Sequence, residues 1–298
     1  MPLYHLPVPR SRLAAAVMLA VVALSWGAIP LIVRGGVPWE QLLAARLWLG
    51  ALTLLAIVAL SRSFRLPGRG DRWRLVACGL LLAAHWASFF LSITETTVAI
   101  ALAILYLGPV LASVLAPFVL GETVPRRVVV GLVIAVAGVL AVVRPGGETS
   151  ALGLAASVFA ALSLTALMLV GAGLARRIGP LTMATGETVV AALATTPWAV
   201  AAVRDSAGYW PQLLVLGVVL TGIASVIYWR GLERLPVATV SVIMYLEPAS
   251  AVVWASLFLG ESPDALAWVG IALVILGGLL AGSASTRDEE AAAAPAAL

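Results

Sequence analysis

Glu247 is followed at once by Pro248 inside the run VIMYLEPASAVVW (242–254), and the apolar stretch around it is broken only at Pro236 and at Gly260-Glu261. The carboxylate therefore falls near the middle of a segment that could cross a bilayer. A charge at that depth must be paired, protonated or facing water, which makes such residues functional candidates by default. Two chemistries fit. Glu247 could carry a proton or pair with an amine on a bound small molecule. Alternatively it could hold a bend: Pro248 has no N–H, so the carbonyl of Met244 loses its helical partner, and a protonated carboxyl could donate to it.

Further polar and aromatic groups lie at similar depth. In LVACGLLLAAHWASFFLSITE (75–95), His85, Ser88, Phe89 and Ser92 follow i, i+3, i+4, i+7 spacing and share one helix face. In lipid a polar face turns inward, either as a cavity wall or as hydrogen-bonding glue between helices. Trp26, Trp86, Phe89, Tyr106, Tyr228, Trp229, Tyr245 and Trp254 lie within spans or near their ends. They offer stacking surface. Trp39, Trp73, Trp198, Trp210 and Trp268 sit nearer boundaries and fit the interfacial belt. Arg46 and Glu187 are also intramembrane charges, and structural roles are expected for both. Enzyme chemistry is set aside: Cys78 is the single cysteine, His85 is the one intramembrane histidine, and the spans hold no H-E-x-x-H and no paired aspartates. No metal, no cofactor and no nucleotide loop are expected.

The elements that must position these groups follow from hydropathy. Charged residues make up 11% of the chain and mean hydropathy is +1.08, against roughly a quarter charged in a soluble domain. Apolar runs long enough for a bilayer core of about 30 Å recur throughout, and in lipid such runs are helices. Breaks between them predict an all-α membrane protein with ten spans, near 13–33, 38–60, 73–92, 97–119, 127–143, 152–174, 181–203, 210–230, 236–259 and 264–284. The first run is too long for a cleaved leader and contains Trp26 and Pro30. The segment 286–298 is charged, then low in complexity, and is expected to be a disordered cytoplasmic tail.

Arginines set the orientation. With the N-terminus inside, the inner segments hold Arg10 and Arg12, the group from Arg62 to Arg74, Arg126 and Arg127, Arg176 and Arg177, Arg230 and Arg234, and Arg287. The outer loops hold only Arg34, Arg144 and Arg204. The positive-inside rule then puts both termini in the cytoplasm. The net charge of +4 is spread over short loops and is no nucleic-acid footprint. The absence of lysine in an alanine-rich chain points to a GC-rich bacterial source, hence to a bacterial inner membrane.

A repeat organises the chain. LYLGPVLASVLAPFVLGE (105–122) aligns without gaps on MYLEPASAVVWASLFLGE (244–261), an offset of 139 that also pairs Phe89 with Tyr228, Gly131 with Gly270 and Gly138 with Gly277. The chain divides into five-span halves, 1–146 and 147–285. Because five is odd, the second half has inverted polarity, an arrangement suited to alternating access with a midplane site. Glu247 matches Gly108 while Pro248 matches Pro109, so the kink is symmetric and the carboxylate is not. The spacings Gly131/Ala135 and Gly278/Gly282 fit close helix packing within one chain, which favours a monomer over a dimer.

Two EamA-like halves with SWG (25–27), an arginine in the second span, LYLGPV, LEPA and a terminal LGE in each half resemble the drug/metabolite transporter superfamily over nearly the whole chain. Within it the chain is most similar to bacterial amino-acid exporters, including the YddG type. The resemblance implies ten helices around a central cavity and export of amino acids, aromatic and other neutral ones favoured, or of related metabolites, without ATP. A different metabolite or drug class, or passive facilitation, remains the alternative, with protons as a candidate coupling ion. The expected cargo-contacting residues are Trp26, His85, Ser88, Phe89, Tyr106, Tyr228, Tyr245 and Glu247. Pro30, Pro109 and Pro248 are the expected hinges.

Overall fold

The structure is a computed structural model that describes residues 12–293, apart from 62–63, 65, 121–125, 143–148, 206, 236–239 and 241–242. Gly121-Glu122, the first copy of the LGE ending, and residues 294–298 of the expected tail lie outside the described residues. The described chain is helical: α1 Arg12–Trp26, α2 Ile29–Val33, α3 Trp39–Ser61, α4 Arg69–Glu95, α5 Val98–Leu105, α6 Leu107–Leu120, α7 Arg126–Val142, α8 Ala151–Ile178, α9 Pro180–Ala194, α10 Thr196–Asp205, α11 Trp210–Leu214, α12 Ala224–Arg234, α13 Leu246–Phe258 and α14 Ala265–Ala293. A π-helix, Val215–Ile223, joins α11 to α12. Among the described residues, six stretches are long and apolar enough to cross a membrane: Ala14–Val33, Trp39–Ser61, Arg69–Glu95, Val98–Ala116, Ala151–Ile178 and Trp210–Arg234. Val129–Gly138, Leu246–Phe258 and Ala265–Gly277 are shorter apolar helices. α14 runs to Ala293, beyond the expected span end near 284, through a segment rich in the helix formers Ala and Glu.

Breaks in the helices fall just ahead of the three prolines. α1 and α2 part at Gly27-Ala28, before Pro30; α5 and α6 part at Tyr106, before Pro109; α13 begins after Tyr245, before Pro248. The backbone at Tyr106 (φ −75°, ψ 1°) nearly repeats that at Tyr245 (φ −66°, ψ −8°), so the two repeat-related breaks share one geometry.

α7 and α14 cross at their glycines. A Cβ on Gly138 would lie 2.8 Å from Val274 N, and a Cβ on Gly277 would lie 2.8 Å from Ala135 N. Each also meets a carbonyl, Gly270 O and Gly131 O respectively. Adding 139 to the first-half member of each contact gives the second-half member of the other, so this crossing has local two-fold symmetry. It also uses the small residues around Gly131/Ala135 within the chain.

The repeat-related positions 108 and 247 differ for a packing reason. At 108 a Cβ would stand 2.9 Å from Ala161 O, because the α8 backbone comes that close. In the second half the neighbouring helix supplies the glycine instead: a Cβ on Gly27 would stand 2.9 Å from Glu247 O. Position 247 is thereby left able to carry a side chain.

Candidate functional site

A cavity lies between α1, α3, α4, the α5–α6 break, α8, α9, the π-helix, α12 and the start of α13. Residues from both halves therefore build it. Its aromatic wall joins Trp26, Trp86, Tyr228 and Trp229. Trp26 packs on Tyr228 with ring centroids 5.7 Å apart and meets Trp86 edge-on at 6.3 Å. Leu82, Leu164, Leu167 and Met168 supply an aliphatic side. Against this apolar lining stand Arg46, His85, Glu187 and Glu247.

The π-helix positions two of these groups. Its wider turn leaves carbonyls outside the usual ladder. The Trp26 indole N–H donates to Leu220 O at 2.8 Å, and the Thr221 hydroxyl donates to Leu216 O at 2.7 Å. With its proton so committed, Thr221 Oγ1 accepts from Arg46 Nε at 2.8 Å. The Arg46 guanidinium also lies over the Trp86 ring, 3.5 Å from the centroid, a cation–π contact strengthened by desolvation. Arg46 is 1% exposed.

Elsewhere in the lining, Trp229 donates its indole N–H to Glu187 Oε1 at 2.5 Å. The Tyr106 hydroxyl stands 2.7 Å from Glu247 Oε2 and 2.9 Å from Met244 O, the carbonyl that Pro248 deprives of its helical partner. The Tyr245 hydroxyl donates to Tyr106 O at 2.9 Å. Each tyrosine therefore crosses to a backbone carbonyl near the other half's break. His85 Nδ1 is 3.0 Å from Ala160 O. Since a carbonyl only accepts, the proton belongs on Nδ1, which leaves Nε2 as the ring's second polar site.

Of the residues expected to contact cargo, Trp26, His85, Tyr106, Tyr228 and Glu247 come together in this lining, with Pro109, an expected hinge. Ser88, Phe89 and Tyr245 stand behind it. Ser88 donates to Ala84 O at 2.7 Å, and Phe89 stacks on His85 with a centroid distance of 6.2 Å. Pro30 and Pro248, expected as hinges, also lie outside the lining, each just after a helix break. Arg46 and Glu187, expected to be structural, are on the wall, as are Thr221 and Ser225. Their intramembrane charge was the available signal. Their equivalence was hidden because they lie 141 residues apart, out of the 139 register.

A second, polar cleft lies at one end of the bundle, around Arg34, Glu95, Thr96, Glu261 and Asp264. Glu261 accepts from Val98 N at 3.0 and 3.1 Å through its two oxygens and sits 3.7 Å from Arg34 Nη2. Arg34 also donates to Thr96 O. No group of three or more histidine, cysteine or acidic residues suited to a metal occurs among the described residues.

Comparison with known proteins agrees with this architecture. The sequence pattern of the EamA-like transporter family matches residues 13–144 and again 151–283. The uncharacterized transporter YxxF of Bacillus subtilis is 30% identical over 214 residues, covering 70% of this chain and 68% of that protein. The threonine/homoserine exporter RhtA of Escherichia coli K12 is 28% identical over 95% of this chain and 91% of its own length. The pseudopaline exporter CntI of Pseudomonas aeruginosa PA14 is 29% identical over 68% of this chain and 72% of its own. A solved crystal structure superposes with a TM-score of 0.70 at 20% identity, covering 91% of this chain and 99% of that one, which establishes a shared fold. With the family pattern present twice and spanning nearly all the helices described above, the chain belongs to the EamA-like transporter family.

Proposed function

We propose that this transporter exports amino acids, aromatic and other neutral ones among them, or related small metabolites, across a bacterial inner membrane. The movement is alternating access between two inverted five-helix halves, 1–146 and 147–285, that together form ten spans with both termini in the cytoplasm. The observation that carries the reading is the chamber. It draws residues from both halves, sits beside the proline breaks, and sets one guanidinium and two carboxylates in an otherwise apolar and aromatic lining. That composition suits a small molecule with both charged and apolar parts. The reciprocal glycine contacts of α7 and α14 and the crossed tyrosines support a two-fold relation between the halves. RhtA supports amino acids as cargo, and CntI keeps a larger metabolite as the second reading.

Reconstitution into liposomes with a panel of labelled amino acids tests this. Counterflow of at least one of them above empty vesicles is expected. Failure of every amino acid to exceed that background would overturn the amino-acid reading. Repeating the assay with an imposed proton gradient separates proton-coupled from facilitated movement.

A further inference from the structure

Arg46 on α3 and Glu187 on α9 occupy equivalent places with opposite charge. A Cβ on Gly79 of α4 would meet Glu187 O at 2.7 Å and the side chain of Val190. A Cβ on Gly217 of the π-helix would meet Arg46 O at 3.2 Å and the side chain of Leu49. Each glycine thus seats a helix of the other half, over a residue and the one three places on. The aromatic partners correspond as well: Arg46 lies 5.5 Å from the Phe90 ring, Glu187 accepts from Trp229, and these two aromatics are 139 residues apart. The scaffold repeats at this level while the charge changes sign.

Each charge is also half-satisfied. Arg46 is fixed through Nε on Thr221 and through its face on Trp86, while Nη1 is buried without a hydrogen-bond partner. Glu187 is fixed through Oε1 on Trp229, while Oε2 is buried without a partner. A buried charged group with an unmet hydrogen bond is unfavourable, and in a transporter it marks a place for cargo. Glu247 differs from both. One of its oxygens already takes the Tyr106 hydroxyl.

The geometry points to a two-ended clamp: Arg46 Nη1 receives a carboxylate of the cargo, Glu187 Oε2 receives its amine, and the rest packs on Trp26 and Tyr228. This rests on the amino-acid reading above and deepens it, because it makes both charged groups of the cargo obligatory and names the residue that reads each. Guanidinium suits the first task, since its planar fork matches a carboxylate and its charge is permanent. A carboxylate suits the second, accepting from an ammonium at full charge.

The test uses proteoliposome counterflow of labelled L-threonine, L-homoserine and L-phenylalanine, continued with whichever of the panel moves fastest. Unlabelled parent amino acid, its carboxamide and its N-acetyl derivative are then compared as competitors on the wild-type chain. The parent is expected to compete at least about tenfold better than either derivative, the ratio set by about 1.4 kcal/mol. Arg46→Met should bring the carboxamide level with the parent, and Glu187→Met should do the same for the N-acetyl compound. A merely structural role would lower all rates together and leave those ratios unchanged. Equal competition by either derivative on the wild type overturns the clamp while leaving amino-acid export standing. Counterflow of no amino acid at all overturns the export reading and the clamp with it.

Discussion

The phenol oxygen of Tyr106 stands 2.7 Å from Glu247 Oε2 and 2.9 Å from the carbonyl of Met244. One side chain of the first half thus meets both consequences of the Glu247-Pro248 sequence in the second: a carbonyl without a helical partner and a carboxylate in an apolar setting. The bend is braced by the tyrosine, and Glu247 joins the same bond network while facing the chamber.

Tyr106→Phe removes the single phenol proton and leaves a buried acceptor, Met244 O or Glu247 Oε2, short of a partner. A loss of about 1–3 kcal/mol is expected, seen as a lower midpoint for thermal unfolding in detergent. Glu247→Gln keeps an oxygen for the phenol and is expected to stay within about 1 kcal/mol of wild type. An unchanged midpoint for Tyr106→Phe would remove the tyrosine from its bracing role.

Thr221→Val takes away the acceptor of Arg46 Nε and the donor to Leu216 O. A hydrogen bond to a charged group is worth about 1.5–3 kcal/mol, so half-saturation for cargo should rise by roughly 10- to 100-fold. Thr221→Ser, which keeps the hydroxyl, should lie close to wild type. Equal behaviour of the valine and serine variants would show that Arg46 is held in place by other contacts.

Gly138→Ala and Gly277→Ala should each destabilise by about 1–3 kcal/mol, because the new methyl lands on backbone that has no room to move. Their near-equality is the informative part, since the two contacts are related by the repeat offset. Gly173→Ala is the control: its Cβ would meet nothing within 4 Å, and removing a mid-helix glycine should stabilise by about 0.5–1 kcal/mol. Unfolding midpoints of the three variants check this.

Glu261→Gln weakens the contact with Arg34 and with the first amide of α5. The end of the bundle around the polar cleft should then open more often. A cysteine placed at the buried Ala99, which lines that cleft, should react several-fold faster with a water-soluble maleimide in the Glu261→Gln background. Equal rates in both backgrounds would show that Glu261 does not hold this end closed.

Much of this arrangement was legible in the sequence because it depends on local rules. Proline chemistry identified Met244 as the orphaned carbonyl, and the 139 offset marked Pro109 with Pro248 and Gly138 with Gly277 as matched sites. The sequence also left Glu247 and Gly108 as an unexplained mismatch. Its cause is non-local: the glycine that allows close approach is Gly108, packed against α8, in one contact and Gly27, just past the end of α1, in the other. The π-helix was not legible, since Val215–Ile223 reads as an ordinary apolar helix. What marks it is where Trp26 and Thr221 send their protons, and neither partner is near in sequence. Ser88 and Phe89 share a helix face with His85, yet that periodicity carries no information about which part of the face reaches the cavity.

Cargo is proposed to pass through the chamber bounded by Trp26, His85, Tyr228 and Glu247. Counterflow of the best-moving amino acid, compared between wild type and the monodisperse, folded variants Glu247→Gln, His85→Ala and Tyr228→Ala, tests it most directly. A loss of about tenfold or more is expected in at least one variant, equivalent to about 1.4 kcal/mol of lost cargo or transition-state binding. Wild-type rates in all three would contradict it.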